Sequence, residues 1–419
     1  MRLLSLSLII LLTGFVCLQC TQSTGPNPAP IPPSPRTPAD MTSAEKILVT
    51  STNAFGLKLF RQVAAHEQPA NNIFISPLSV SFALGMTYNG ASGETRQAMA
   101  RALEYNGLSD QEINESYLGL ITILTELDPG VVFDIANSIW YRLGKPVRPE
   151  FIDVTRTYFE AAVREMDWSL PGAADTINHW VDIYTHGKIT EIIKGPISQD
   201  VAMILLNAIY FNGAWTRPFD TADTYTAQFH PIGGNPIDCE MMTNGDDTTQ
   251  IAYFANDLFQ AADLPYGDKA FSMTILLPQE DHTVDDILND LTSENWAAWM
   301  AGFAKGEIIL GLPKFKFEYD VGLDTMLKLM GMAIAWDPSA NGFSNMFADS
   351  VGWISQVKHK TFVQVDERGT EAAAVTAVII VDCLPPMLIA DRPFLFVIRE
   401  RESGTILFMG RISQPVWES

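Results

Sequence analysis

The chain has 419 residues, of which 47% are hydrophobic, and a formal net charge of −22 at pH 7. This length and composition allow a large buried core in one domain or two. The negative charge argues against a nucleic-acid partner, which needs clustered Lys and Arg, and it favours solubility as the simplest explanation. Beyond the first 20 residues only Cys239 and Cys383 remain, so at most one disulfide can form and packing must stabilise the chain.

Residues 1–20 are typical of a signal peptide. Arg2 precedes an apolar run, Leu3 to Val16, that is too short to span a bilayer comfortably. We therefore expect an exported protein, extracellular or anchored at the cell surface or in the periplasm. Cys17 and Cys20 stand at the end of the run, where a lipoprotein leader is cleaved and lipidated. Cys20 is the preferred lipidation site because everything after it is polar, while lipidation of Cys17 and simple removal of the leader remain alternatives.

Residues 21–40 are rich in Pro, Ser and Thr and have no apolar period, which predicts an extended linker. A tether of this kind suits an anchored protein. After residue 40 the chain shows neither another linker nor an internal repeat, so residues 41–419 are predicted to form one domain.

The first predicted element of this domain is a helix over Thr42–His66, with Ser43 as its cap. A short strand follows at Ile73–Ile75. The next residues predict the start of a second helix, because Ser76 can cap it while Pro77 occupies the first helical position, where a missing N–H has no cost.

Strand-like and helical patterns then alternate irregularly. Helices are predicted near residues 175–190 and 320–332. The order fits neither a repeating βα pattern nor a regular all-β spacing, so an α+β fold is expected. The predicted strands are Val131–Arg142, Val201–Phe211, Leu258–Leu264, Ser272–Pro278, Glu307–Phe317 and Phe394–Ile398.

The segment DERGTEAAAVTAVIIVDCLPP, residues 366–386, differs from its neighbours. Gly369 provides backbone freedom at its start, Pro385-Pro386 keeps its far end out of a sheet, and no proline lies between them. Every second side chain of a strand lies on the same face, and here that face has small residues first and larger ones later. Its members are Thr370, Ala372, Ala374, Thr376, Val378 and Ile380. The segment could therefore enter a sheet as a central strand.

Catalytic motifs are missing from the sequence. The six histidines form no HExxH pattern, and the chain contains no GxSxG, P-loop or GxGxxG motif. We therefore expect neither an enzyme nor a bound cofactor or metal.

Several stretches of the chain occur in the order and spacing of one known family. They include NIFISPLSVSFALGMTYNGASGET (72–95), LLNAIYFNGAWTRPF (205–219), LPKFKFEY (312–319), VKHKTFVQVDERGTEAAAVTA (357–377) and RPFLFVIRERESGTILFMGRISQP (392–415). From about residue 45 to 417 the chain therefore resembles the serpins, as an exported bacterial member. The resemblance implies an α+β serpin fold with three β-sheets, about nine helices and an exposed reactive-centre loop. Asn212 stands where many members have Lys, and the loop after the expected cleavage point is slightly short.

The resemblance implies a monomeric inhibitor of serine endopeptidases that acts as a suicide substrate. The reactive bond is Cys383–Leu384, which suits elastase-like or subtilisin-like proteases; a shift of one residue makes it Asp382–Cys383, which calls for a basic pocket. The alternative is a non-inhibitory serpin used as a binding or carrier protein. A bulky or charged residue at 370, or prolines over 370–377, would favour that alternative, and the sequence has neither.

The resemblance also assigns residues to three regions. At the breach, Lys314 and Glu367 pair near Trp215, and at the shutter His359 and Asn207 are expected to share a hydrogen bond. The shutter consists of Ser76, Ser79, Asn207 and His359. The hinge consists of Glu367, Gly369, Thr370, Glu371, Ala372, Ala373 and Ala374.

Overall fold

The computed structural model describes residues 36–244, 249–349, 352–369 and 386–418. Within these ranges nine α-helices and fifteen strands form. The helices are α1 Ser43–His66, α2 Pro77–Gly90, α3 Gly93–Ala102, α4 Asp110–Thr125, α5 Pro149–Phe159, α6 Ala173–Tyr184, α7 Val284–Asp290, α8 Ser293–Ala301 and α9 Asp324–Leu327. Shorter helical turns occupy Pro38–Asp40, Lys328–Met332, Ala333–Trp336 and Pro338–Ala340.

The strands alternate irregularly with these helices, which confirms the α+β class. They are β1 Ile73–Ile75, β2 Val131–Arg142, β3 Ala162–Met166, β4 Met203–Gly213, β5 Tyr225–Phe229, β6 Ile237–Thr243, β7 Thr249–Ala255, β8 Phe259–Tyr266, β9 Phe271–Pro278, β10 Ala304–Pro313, β11 Phe315–Gly322, β12 Lys358–Val365, β13 Met387–Ile389, β14 Phe394–Glu400 and β15 Ile406–Ile412.

Three sheets can be traced through the described residues. The first has the order β1-β15-β14-β9-β8-β7-β10. Strand β10 leaves it, because residues 304–308 pair with β7 whereas residues 309–313 pair with β6 and β13 in a second sheet that β5 completes. The third sheet, here called the slotted sheet, has two halves, β3-β2-β4 and β12-β11.

Local chemistry explains how the first two helices begin. The Thr42 hydroxyl accepts from the amide of Glu45 (3.1 Å), and the Glu45 carboxylate accepts from the amide of Thr42 (2.7 Å). The cap of α1 is therefore Thr42 and not Ser43. The predicted cap of α2 is confirmed, since the Ser76 hydroxyl accepts from the amide of Ser79 (3.2 Å).

The strand predicted over Glu307–Phe317 is in fact two strands. Pro313 has no N–H to donate, and the next amide, of Lys314, donates to the carbonyl of Glu240 (2.8 Å). The chain thus leaves the second sheet at Lys314 and enters the slotted sheet at Phe315, where β11 pairs with β12.

Two buried clusters support the slotted sheet. The larger one fills the centre of the molecule, where Phe74 stacks on Phe396 and Phe408. The smaller one lies between the sheet and α6, and it includes Trp140 of β2 together with Ile177 and Trp180 of α6. Helix α6 therefore covers the β2 and β4 half of the sheet.

Candidate functional site

The two halves of the slotted sheet are separated by a slot between β4 and β12. Among the described residues, β4 pairs only with β2 and β12 pairs only with β11, so one edge of each strand lacks a ladder partner. A cavity of about 130 Å³ lies between them. Its walls come from residues 209–212 of β4 and 361–365 of β12, and Phe74, Ile398 and Phe408 also line it. Unpaired edges of this kind can accept another strand.

The walls of the slot run in the same direction. At one end, Asn207 of β4 and His359 of β12 line the same small cavity. At the other end, Ala214, just beyond β4, forms an antiparallel bridge with Gly369, just beyond β12. A strand that returned from Gly369 between the walls would therefore be antiparallel to both.

A tight turn closes the upper end of the slot. Asp366 and Gly369 exchange backbone hydrogen bonds of 3.2 and 3.1 Å, and the amide of Trp215 donates to the carbonyl of Arg368 (3.0 Å). Gly369 has φ +109°, and an added Cβ would lie 2.3 Å from the Trp215 nitrogen. Only glycine fits here without displacing the backbone.

The expected breach residues meet beside this turn. Lys314 Nζ lies 3.1 Å from Oε1 and 3.0 Å from Oε2 of Glu367, and the Thr224 hydroxyl donates to Oε1 (2.9 Å). The Trp215 indole N–H donates to the carbonyl of Asp366 (3.0 Å). Burial by itself raises the pKa of Glu367, but hydrogen bonds from its own backbone amide, from Lys314 and from Thr224 outweigh that effect and lower it.

The expected shutter residues meet at the lower end. The amide of Ser76 donates to Nε2 of His359 (2.9 Å), the Ser76 hydroxyl donates to the carbonyl of Leu407 (2.8 Å), and the Ser79 hydroxyl donates to the carbonyl of Asn207 (3.3 Å). These contacts join α2 to β4, β12 and β15.

The hydrogen bond expected between His359 and Asn207 does not form. His359 uses Nε2 for Ser76, and the Asn207 amide donates to Oδ1 of Asn137 on β2 (2.9 Å), a partner that sequence reasoning missed. The buried Oδ1 of Asn207 has no hydrogen-bond partner among the described residues. Asn207 Oδ1, at the lower end of the slot, is thus a hydrogen-bond acceptor to which none of the described residues donates.

Burial lowers the pKa of His359 to about 4. The ring is therefore neutral at pH 7, and because Nε2 accepts from Ser76, its proton lies on Nδ1. Protonation of His359 would place a charge in a buried position and would occupy the Nε2 lone pair that accepts from the Ser76 amide.

The segment after α6 crosses the slot, which the sequence patterns did not indicate. His186 Nε2 lies 2.7 Å from Asp134 Oδ2 on β2, and Lys188 Nζ lies 5.2 Å from the ring centroid of Phe362 on β12. Lys188 and Ile189 also line the cavity. The segment therefore touches both halves of the sheet.

Several expected site residues lie outside the described residues. They are the lipidation candidates Cys17 and Cys20, the hinge residues Thr370, Glu371, Ala372, Ala373 and Ala374, and Asp382, Cys383 and Leu384 at the reactive bond. Cys239 is described: it is a buried free thiol, and burial, followed by the nearby acidic residues, raises its pKa to about 11.

Within the described ranges, no group of three or more His, Cys, Asp or Glu side chains could hold a metal ion. In the same part of the chain, no helix is long and apolar enough to cross a membrane.

Comparison with known proteins identifies the class to which this fold and slot belong. The family model Serpin (serine protease inhibitor) matches residues 50–415. A serpin-like protein of Thermococcus kodakarensis is 33% identical over 380 residues, covering 88% of this chain and 86% of that protein. The chain belongs to the serpin family.

Solved structures agree. The native state of tengpin, a thermophilic serpin, superposes with a TM-score of 0.78 at 29% identity, covering 87% of this chain and 94% of that one. Human thyroxine-binding globulin superposes with a TM-score of 0.79 at 27% identity, covering 89% and 100%. The family is generally one of protease inhibitors and not of enzymes. The name of thyroxine-binding globulin shows that it also includes binding proteins.

Proposed function

We propose that this chain is an exported inhibitor of serine endopeptidases that acts as a suicide substrate. The serine of a protease attacks the carbonyl of the scissile residue, Cys383. The Cys383–Leu384 peptide bond breaks, Leu384 leaves as a new amino terminus, and Cys383 stays bound to the enzyme as an acyl group. The segment before the cut then enters the slot between β4 and β12 and carries the attached enzyme with it. Displacement of the acyl group from its oxyanion donors prevents water from completing hydrolysis. Loop insertion is a known property of serpins, and the slot is the observation that supports it for this chain.

The turn at the top of the slot predicts the register of an inserted strand. Because Asp366 faces Gly369 across the turn, Val365 would face Thr370. Val365 is 1% exposed, so Thr370 would point into the core, as would every second residue after it. The buried positions of β12 are His359, Thr361, Val363 and Val365, and they would face Thr376, Ala374, Ala372 and Thr370.

The same register can be counted on the other wall. The bridge between Ala214 and Gly369 makes Asn207 level with Thr376. The count from β12 makes His359 level with the same residue. Both counts therefore predict that Thr376 would lie between Asn207 and His359, where Asn207 Oδ1 has no partner among the residues that the structure describes. A hydroxyl at this position could donate to that oxygen.

The lengths of the walls also suit the segment. Strand β12 has 8 residues and β4 has 11. An inserted strand starting at Thr370 would reach Ala377 at the end of β12 and Ile380 at the end of β4. Nothing in this stretch is proline, which would remove a ladder donor. The inserted strand would gain hydrogen bonds on both edges.

A protease panel tests this proposal. Residues 21–419 are incubated with serine proteases that include elastase and subtilisin, and denaturing gels are examined for a band that combines both masses. The same proteases blocked at the active-site serine serve as controls, because they cannot form an acyl-enzyme. Ordinary turnover with every active protease would contradict inhibition and favour the carrier function. The released fragment should begin with Leu384, or with Cys383 if Asp382 is the scissile residue.

We further propose that the leader is cleaved just before Cys20 on export, which removes residues 1–19, and that Cys20 is lipidated, which would anchor the inhibitor to a membrane. Mass spectrometry of the protein from a lipoprotein-processing bacterial host should find an acylated amino-terminal Cys20. The Cys20→Ala variant should appear in the soluble fraction. An unmodified amino terminus would contradict lipidation, and retention of residues 1–19 would contradict removal of the leader.

A further inference from the structure

The last described residues, Val416 to Glu418, run along the outer edge of β11. The amide of Lys316 donates to the carbonyl of Val416 (2.7 Å), and the amide of Glu418 donates to the carbonyl of Lys316 (2.9 Å). Lys316 and Trp417 form a parallel bridge, and the Glu418 carboxylate accepts from the amide of Glu318 (3.2 Å). Since β12 occupies the other edge of β11, this contact gives β11 a partner on both edges.

Just before this contact, the chain is fixed to a different part of the molecule. The amides of Ser413 and Gln414 donate to Oδ1 of Asn72 (2.8 and 3.1 Å), and the Asn72 amide group donates back to the carbonyl of Gln414 (2.8 Å). The Ser413 hydroxyl donates to the carbonyl of Pro69 (2.7 Å). Residues 413–418, here called the tail, thus connect the loop before β1 to the edge of the slotted sheet.

The tail also reaches the breach. Lys314 Nζ lies 5.2 Å from the ring centroid of Trp417, within the range of a cation–π contact. The same ammonium group pairs with Glu367 in the turn that closes the slot. The Trp417 indole and the Glu367 carboxylate therefore both contact the Lys314 ammonium group.

We propose that the tail is a staple that restrains the β11–β12 half of the slotted sheet. Widening of the slot must move β12 away from β4, and β11 must follow because eight residue pairs join it to β12. The tail opposes this movement because it ties the outer edge of β11 to the loop before β1, a strand that pairs with β15 in the first sheet. The restraint of slot opening by the tail is inferred from these contacts alone. Only its effect on protease trapping rests on the proposed function.

Hydrogen exchange of a chain that lacks residues 415–419 tests the staple. The amide of Lys316 loses its acceptor and should exchange faster. The amides of Trp215 and Phe219, which donate to the turn over 366–369, report whether the slot opens at its upper end. Loss of the three hydrogen bonds between the tail and β11 should accelerate their exchange roughly tenfold or more. Amides of β14 should exchange at the wild-type rate.

Single substitutions test the contact between Trp417 and Lys314 without shortening the chain. Trp417→Ala should accelerate exchange at Trp215 by roughly threefold because only the ring contact is lost, whereas Trp417→Phe, which keeps a ring, should lie closer to wild type. Trp353→Ala is the matched control, because Trp353 is similarly exposed (42% against 50% for Trp417). This substitution should leave the exchange rates of the Trp215 and Phe219 amides unchanged.

Two results of the deletion would overturn the staple. If Lys316 exchanged at the wild-type rate, the tail would not be docked in solution. If Lys316 exchanged faster while Trp215 and Phe219 did not, the tail would dock without restraining the slot. Failure of the wild-type chain to trap any protease would instead overturn the proposed function, and it would leave these exchange rates as they are.

Discussion

Strands β14 and β12 show two ways of building a sheet in one molecule. All seven residues of β14 are buried, and β15 and β9 pair with its two edges. In β12 every second residue is buried, and among the described residues only β11 pairs with it. Both edges of β14 are thus paired, whereas one edge of β12 has no partner strand among the described residues. This difference indicates that a further strand could pair between β4 and β12, whereas β14 has no free edge.

Polar side chains differ between the two regions in the same way. In the first sheet, the buried Asp263 carboxylate accepts from Ser272 (2.8 Å), Thr274 (2.6 Å) and Arg399 (3.1 Å). At the lower end of the slot, Oδ1 of Asn207 is buried and has no hydrogen-bond partner within the described part of the chain. Buried polar groups are normally satisfied, so the slot is the region from which a gain in stability is expected.

The largest effect should come from filling the slot. Cleavage of the segment before Leu384 without loss of either fragment should raise the melting temperature by at least about 10 °C, because the new strand gains hydrogen bonds on both edges and buries apolar side chains. Calorimetry of intact and cleaved protein measures this difference. Equal melting temperatures would mean that the two regions do not differ in stored stability.

Substitution on the core-facing side of the segment comes next. Thr370→Arg should lower the yield of covalent complex more than about tenfold and turn the inhibitor into a substrate, since an unpaired cation cannot enter the core. Ala373→Arg is the matched control, because the predicted register puts residue 373 on the outer face, where a charge can reach solvent. Gel quantification of trapped and cleaved protein compares the two. Equal trapping by both variants would contradict the register.

A smaller effect concerns pH at the lower end of the slot. The pKa of His359 is about 4 in the folded chain, below its ordinary value, so the unfolded chain takes up the proton first. The contribution of neutral His359 to the free energy of unfolding is fully present above about pH 6.5. It is lost as the pH falls toward 4, which lowers that free energy by about 3 kcal/mol.

Urea unfolding at pH 7 and pH 4.5 measures this dependence. His359→Gln should have a shallower loss of stability toward low pH than wild type, and His66→Gln, on the exposed end of α1, should keep the wild-type dependence. An identical dependence in the His359 variant would show that the shutter histidine is not the titrating group.

The smallest effect is expected at the upper end. Lys314→Met should destabilise the fold by about 1 to 2 kcal/mol, because it leaves the Glu367 carboxylate, 9% exposed, without its cation. Lys194→Met is the control, since Lys194 and Asp320 are 66% and 43% exposed and lie 3.8 Å apart. That change should cost less than about 0.5 kcal/mol. Equal effects from both substitutions would mean that the breach pair acts as an ordinary surface pair.

Local signals in the sequence predicted much of the fold. Val131–Arg142 was predicted as a strand and forms β2 with the same ends, and the Ser76-Pro77 start of α2 is as expected. These features depend on neighbours in the chain, namely alternation along a strand and a capping hydroxyl. The division of Glu307–Phe317 was missed because it depends on Glu240, some distance away in the chain, which accepts from the amide of Lys314.

The candidate site divides in the same manner. The order of its stretches along the chain indicated the family, the breach residues and the shutter residues. The partners of Asn207 and His359, the tail on β11 and the unpaired edges of the slot emerged only from the folded arrangement.

The family, most of the local elements and a segment of small, alternating residues suited to become a strand can be recognised in the sequence alone. A place for such a strand, between β4 and β12, is visible only in the folded molecule. Periodicity and caps are encoded within a few residues, whereas a strand edge is free or filled according to which distant strands fold beside it.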